Sequence, residues 1–200
     1  MPIPDRIKFG FADLIIKQRS DLDGRRNVMA SAWTDGGMID IQSSLPESVK
    51  ARVLFISLHF AVGDISIPAY EAIDRNRIAR LMYGILRDNH DLAMLREVSS
   101  LRIVGNTWRI QRENEHFKYA AYMDDANQVL NVNSNRRGTR WFHSLFHEVY
   151  HVIFDILEMA PDDEDELERV VDSLAWHLVL LLSQNDFSWL VEDDQKSSEE

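Results

Sequence analysis

The amino-acid sequence predicts an α+β fold. It reads as two tandem units, each a small antiparallel sheet or hairpin followed by two packed helices. Three observations carry this. Stretches with strand character come before stretches with a 3.6-residue apolar period. That order occurs twice, at a spacing of about ninety residues, the size of a small domain. Matching segments also look alike: "IKFGFADLIIKQ" with "LRIVGNTWRIQR", and "MIDIQSS" with "VLNVNSN".

Taken in order, residues 6–19 read as a strand of mixed alternation and residues 21–26 as a turn or loop. Residues 27–33 are a second strand candidate, and Asp35-Gly36-Gly37 is a hairpin signal into residues 38–42. Leu45-Pro46-Glu47 looks like a helix start with Ser44 as cap. Residues 49–62 are then apolar and helical, residues 63–68 break the helix, and residues 70–89 form a second one. The second half repeats this order. Residues 101–112 read as a strand. Residues 117–123 and 129–133 form a hairpin about Asp124-Asp125-Ala126-Asn127, and helices follow at 140–157 and 165–185. The units are residues 1–95 and 96–191, and residues 192–200 are expected to be a disordered acidic tail.

The first helix of the second half contains His147-Glu148-Val149-Tyr150-His151, an H-E-x-x-H motif. On a helix the two histidines project from one side, one turn apart, and two imidazoles can reach one zinc-sized ion. Glu148 sits about 100° round from His147, beside the ion. There it can take a proton from water whose pKa the metal has lowered to about 7. The segment suits a helix. Residues 140–157 have no Gly or Pro, Thr139 is a plausible N-cap, and Pro161 lies beyond the end. Phe142, Leu145, Phe146, Val149, Val152, Ile153 and Ile156 form an apolar stripe, and the histidines fall nearly opposite its centre.

Zinc needs a third protein ligand. Glu168 is the choice, on the flank of the stripe Leu167, Val170, Val171, Leu174, Ala175 and Leu178, with Glu166 as runner-up. Asp172, four residues on, could orient a ligand histidine from behind. His143 and Asp155 continue the row of histidines, each a further turn along, so all four cannot meet one ion. His143 reads as a surface residue that could line the cleft.

Composition excludes other classes. The 200 residues are 45% hydrophobic and 28% charged, enough for a buried core. Without cysteine there is no disulfide or thiolate metal site, which fits a cytoplasmic protein. Early prolines and charges argue against a signal peptide, and no apolar run is long enough to span a membrane. A net charge of −11 disfavours nucleic acid.

The repeat has a chemical consequence. Setting Ser57-Leu58 on Ser144-Leu145 maps the motif to Phe60, Ala61 and Asp64, and Glu168 to about Ala72 or Arg75. The first half is therefore expected to hold no metal, with His59 a packed residue. The two copies are expected to bury apolar faces against each other as an internal pseudo-dimer, or the first copy to hold substrate.

From about residue 101 to 190 the chain resembles the ImmA/IrrE-like zinc metallopeptidases, especially short phage and prophage forms. The resemblance rests on the strand-hairpin lead-in, "LFHEVYHVIFDIL" and "ELERVVDSLA", with the first half similar to a degenerate copy. It implies two zincin-like units, with His147, His151 and Glu168 as Zn2+ ligands and Glu148 as general base. It also implies endopeptidase activity on a protein or peptide substrate, with repressor-type regulators as the substrate class. An extended substrate is expected to pair with the strand at 129–133. Tyr150, Tyr122 and His116 are candidates for stabilising the oxyanion. The rival expectation is a non-catalytic binding or adaptor protein that keeps the fold.

Overall fold

The computed structural model describes residues 2–10, 12–22, 29–33, 37–66, 74–113 and 119–190. It is α+β. The strands of the first half are β1 (Arg6–Phe9), β2 (Ala12–Arg19), β3 (Ala30–Trp33) and β4 (Met38–Gln42). They form a sheet of order β1-β2-β4-β3. After helices α1 (Glu47–Ser66), α2 (Arg75–Asp88) and α3 (His90–Ala93), the second half supplies β5 (Ser100–Ile103), β6 (Asn106–Glu113), β7 (Ala121–Asp124) and β8 (Val129–Asn133). Their order, β5-β6-β8-β7, is the same. Helices α4 (Thr139–Leu157) and α5 (Glu164–Gln184) follow. The acidic tail lies outside the described residues.

Both sheets are mixed, where antiparallel ones were expected. β2 runs parallel to β4 and β6 parallel to β8, while the outer pairs are antiparallel. The cause is how each hairpin docks. Its second strand lies against the sheet and its first takes the outer edge, so the chain returns to the same end before pairing. Residues 6–19 and 101–112, read as single strands, are hairpins. Gly10 (φ 62°) turns the first, and Val104 (φ 46°) with Gly105 (φ 83°) turns the second. Neither turn has an Asn-Gly or Asp-Gly pair, and the alternation carries on through both.

Helix α1 continues through Gly63 to Ser66, past the break expected at residue 63. One interior glycine costs a helix only about 1 kcal/mol relative to alanine. Ahead of it, the Ser44 hydroxyl accepts from Gln42 Nε2. α2 starts at Arg75, where the Asp74 side chain accepts from the backbone N–H groups of Asn76 and Arg77. The four residues before Asp74 that were read as helix lie outside the described set. α5 is capped in the same way by Asp163.

The helices pack reciprocally. α1 lies on α5 and α2 on α4, while α2 covers β5 and α5 covers β1. The two helix ends make matching clamps. Asn89 Nδ2 donates to the carbonyls of Ile85 and Arg102, and Asn89 Oδ1 accepts from Arg102 N–H at 2.7 Å. Asn185 does the same with Leu181 and Lys8, again with 2.7 Å at the accepted bond. Among the described residues most buried apolar side chains of both halves form one cluster.

Burial fixes the register between halves. Ile78, Ala79, Met82, Ile85 and Leu86 of α2 are buried as are Leu174, Ala175, Leu178, Leu181 and Leu182 of α5. In α1, Leu54, Phe55, Leu58 and His59 are buried as are Leu145, Phe146, Val149 and Tyr150 in α4. Leu54-Phe55 therefore matches Leu145-Phe146, one helical turn from the expected match of Ser57-Leu58 with Ser144-Leu145. The motif falls on Ile56, Ser57 and Phe60 rather than on Phe60, Ala61 and Asp64. Glu168 falls on Ala72, outside the described residues. His59 is buried and its Nε2 stands 2.7 Å from the hydroxyl of Tyr150, its own counterpart.

Candidate metal centre

Helix α4 is buried nearly all round. Trp141, Phe142, Leu145, Phe146 and Val149 meet the sheet and core, while His143 and Glu148 are also covered. The face carrying the histidines, nearly opposite the main apolar stripe, is roofed by α5. The reason is visible in α5 itself. Its apolar residues Val170, Val171, Leu174 and Leu178 dock on the core and bring its acidic flank over α4. Ile156, assigned to the apolar stripe, is exposed instead.

This packing brings three donor groups together. His147 Nε2 and His151 Nε2 are 3.2 Å apart. Glu168 places Oε2 3.2 Å from the first and Oε1 3.2 Å from the second. With metal–ligand bonds of 2.0–2.1 Å, two donors on a tetrahedral ion stand roughly 3.3 Å apart. Both rings thus present Nε2 at a coordinating spacing to a carboxylate at the same spacing. Among the described residues this is the group of three that could hold a metal ion. Glu166 and Asp155 do not join it.

Electrostatics agree with the geometry. Burial is the main cause lowering the pKa of His147, followed by the neighbouring His151; Glu168 and Asp172 oppose it. A neutral imidazole is the form that binds metal. Burial, with help from Glu168, raises Glu148 to about 7. Its carboxyl lies in an open cleft of about 240 Å³ with His147, Glu168 and the chain at Tyr119–Ala121.

Asp172 takes a different first partner from the one expected. Its Oδ1 is 3.1 Å from His143 Nε2 and 3.9 Å from His147 Nδ1. It lies between the two rings. His143 is not a surface residue: it lines the cleft, with burial lowering its pKa, and stacks on Trp176 at 4.1 Å between ring centroids. Sequence spacing placed His143 on the row of histidines and left the cleft as its second reading. Tyr119 had no signal at all, because it reaches the cleft through tertiary packing.

Of the oxyanion candidates, Tyr150 is fully buried and faces His59, away from the cleft. Tyr122 does not line the cleft, and His116 lies outside the described residues. The strand at 129–133, expected to meet substrate at a sheet edge, is interior: β8 has β6 on one side and β7 on the other. β7 is the edge, and its Ala121 lines the cleft. The Asn133 N–H donates to Ala120 O at 3.0 Å. Antiparallel alternation then turns the backbone of Tyr122 toward β8 and that of Ala121 and Met123 outward.

Compared with known proteins, the chain matches no family model, no curated protein and no solved structure. Among the described residues, no helix is long and apolar enough to cross a membrane.

Proposed function

We propose that this chain is a zinc-dependent metallo-endopeptidase that hydrolyses a peptide bond of a protein substrate. A repressor-type regulator is the substrate class implied by its ImmA/IrrE-like motifs. One observation carries the reading: two imidazole nitrogens and a carboxylate at coordinating spacing beside the buried carboxylate of Glu148. His147, His151 and Glu168 would hold the ion, and an N2O donor set with room for a fourth ligand suits catalytic zinc. When bound, zinc supplies a water of lowered pKa and polarises the substrate carbonyl.

The chain's own residues do the rest. Glu148 accepts the proton of the attacking water and returns it to the leaving amine; its burial keeps proton affinity high enough for both. The outward N–H and C=O of Ala121 offer an extended peptide two backbone hydrogen bonds, which would hold it in the cleft. The two halves, residues 1–95 and 96–191, are read as tandem zincin-like units joined as an internal pseudo-dimer. Their matching strand orders and reciprocal helix packing support this.

Metal analysis paired with Glu148→Gln tests the activity. Wild type is expected to carry one zinc per chain and to cleave. The variant is expected to keep the zinc and lose roughly 10²–10⁴-fold in rate. Equal cleavage by the variant would remove Glu148 from its role. Zinc without cleavage of any tested regulator would favour a non-catalytic binding protein of the same fold.

A further inference from the structure

The first half has a cleft where the second half has its metal centre. Arg52 and Ile56 of α1 stand at the positions of His143 and His147 in α4. Arg80 of α2 stands at the position of Trp176 in α5. These residues line an open cavity of about 440 Å³, together with Arg87, Tyr83 and Val53. The metal cleft is lined by three carboxylates; this one has three guanidinium groups and, among the described residues, no acid in its wall. In a chain of net charge −11, that concentration of positive charge in a concavity runs against the molecule's average.

Among the described residues, Arg52 and Arg80 have no acidic partner. Arg52 makes no ion pair or hydrogen bond with any described residue. The Nε of Arg80 donates to the neutral amide oxygen of Asn76 at 2.8 Å. Arg87 pairs with Asp88 at 2.8 Å. A second observation points to an occupant. Gly84 is interior to α2, and a Cβ built on it meets nothing within 4 Å. No packing demands the glycine, and it costs the helix about 1 kcal/mol relative to alanine. What it leaves is room in the cleft it lines.

We propose that this cleft binds a small organic phosphate. The arginine forks would take the phosphate oxygens. Val53, Ile56 and the Tyr83 ring would take the body of the molecule, and Gly84 admits it. The volume falls in the ordinary range for small-molecule sites. This site is independent of the zinc reading, because it shares no lining residue with the metal cleft.

The test is calorimetric titration of the full chain with phenyl phosphate, inorganic phosphate and citrate at low ionic strength. Phenyl phosphate is expected to bind saturably at one site. Inorganic phosphate is expected to bind more weakly and citrate not measurably. Arg52→Ala and Arg80→Ala are each expected to weaken binding roughly tenfold or more. Gly84→Leu is expected to abolish binding while leaving the melting temperature equal or higher. Arg6→Ala, on the remote β1, is expected to change nothing. Absence of saturable binding, binding that survives Gly84→Leu, or citrate binding as tightly as phenyl phosphate would overturn the proposal.

Discussion

Asp172 shows how one carboxylate serves two rings. At 3.1 Å from His143 and 3.9 Å from His147 it would act on the proposed metal centre mainly through its field, since the second distance is too long for a hydrogen bond. Asp172→Asn is therefore expected to weaken zinc binding by about tenfold, the low end for such outer partners, as read by competition with a chelating dye. Glu168→Ala removes a donor outright, and stoichiometric zinc is expected to be lost. Away from the centre, His59 gives a pH dependence. Burial pushes its folded pKa down to about 4, below the ordinary 6.5. Between those values the unfolded chain binds a proton that the folded chain does not. Stability thus falls as pH drops from 6.5 toward 4, by up to about 3 kcal/mol from this group, and is unaffected by it above 6.5. Urea midpoints at pH 7 and pH 4.5 are expected to differ less in His59→Leu than in wild type. At pH 7, Tyr150→Phe is expected to cost about 1–3 kcal/mol, because it leaves a buried imidazole nitrogen without its partner.

At the scale of elements, the two asparagine clamps hold each half's second helix to the other half's first hairpin. Each joins a helix C-terminus to a strand through the same three hydrogen bonds. Asn89→Ala and Asn185→Ala are each expected to lower stability by about 1–3 kcal/mol, with similar effects in chemical denaturation. The clamps sit at opposite pairings and share no partner, so the double variant is expected to be additive within about 0.5 kcal/mol. Strands, helices and their order were legible in the chain because apolar periodicity and caps are local properties. The hairpin turns at Gly10 and Val104-Gly105 were not, since their sequences do not interrupt the alternation on either side. The outward edge was also misplaced. Residues 129–133 look like a good strand, and nothing local says that a second strand covers each side of it.

For the whole molecule, one continuous core ties the halves together. Each half leaves the apolar face of its helices to be covered by the other. Calorimetry is expected to give a single cooperative transition, and a fragment of residues 1–95 is expected not to fold alone; two separate transitions would overturn this. By itself the sequence determined the α+β class and the residues of the group that could hold a metal ion. The spacing in H-E-x-x-H is fixed by helical pitch, and the acidic flank of α5 by its own apolar stripe. Only the tertiary structure decided which way the strands run, that His143 and Tyr119 line the cleft, that β7 is the open edge, and which residues of α1 stand opposite the motif. Those are relations between segments far apart in the chain. They are set by how apolar faces fit together rather than by any local pattern.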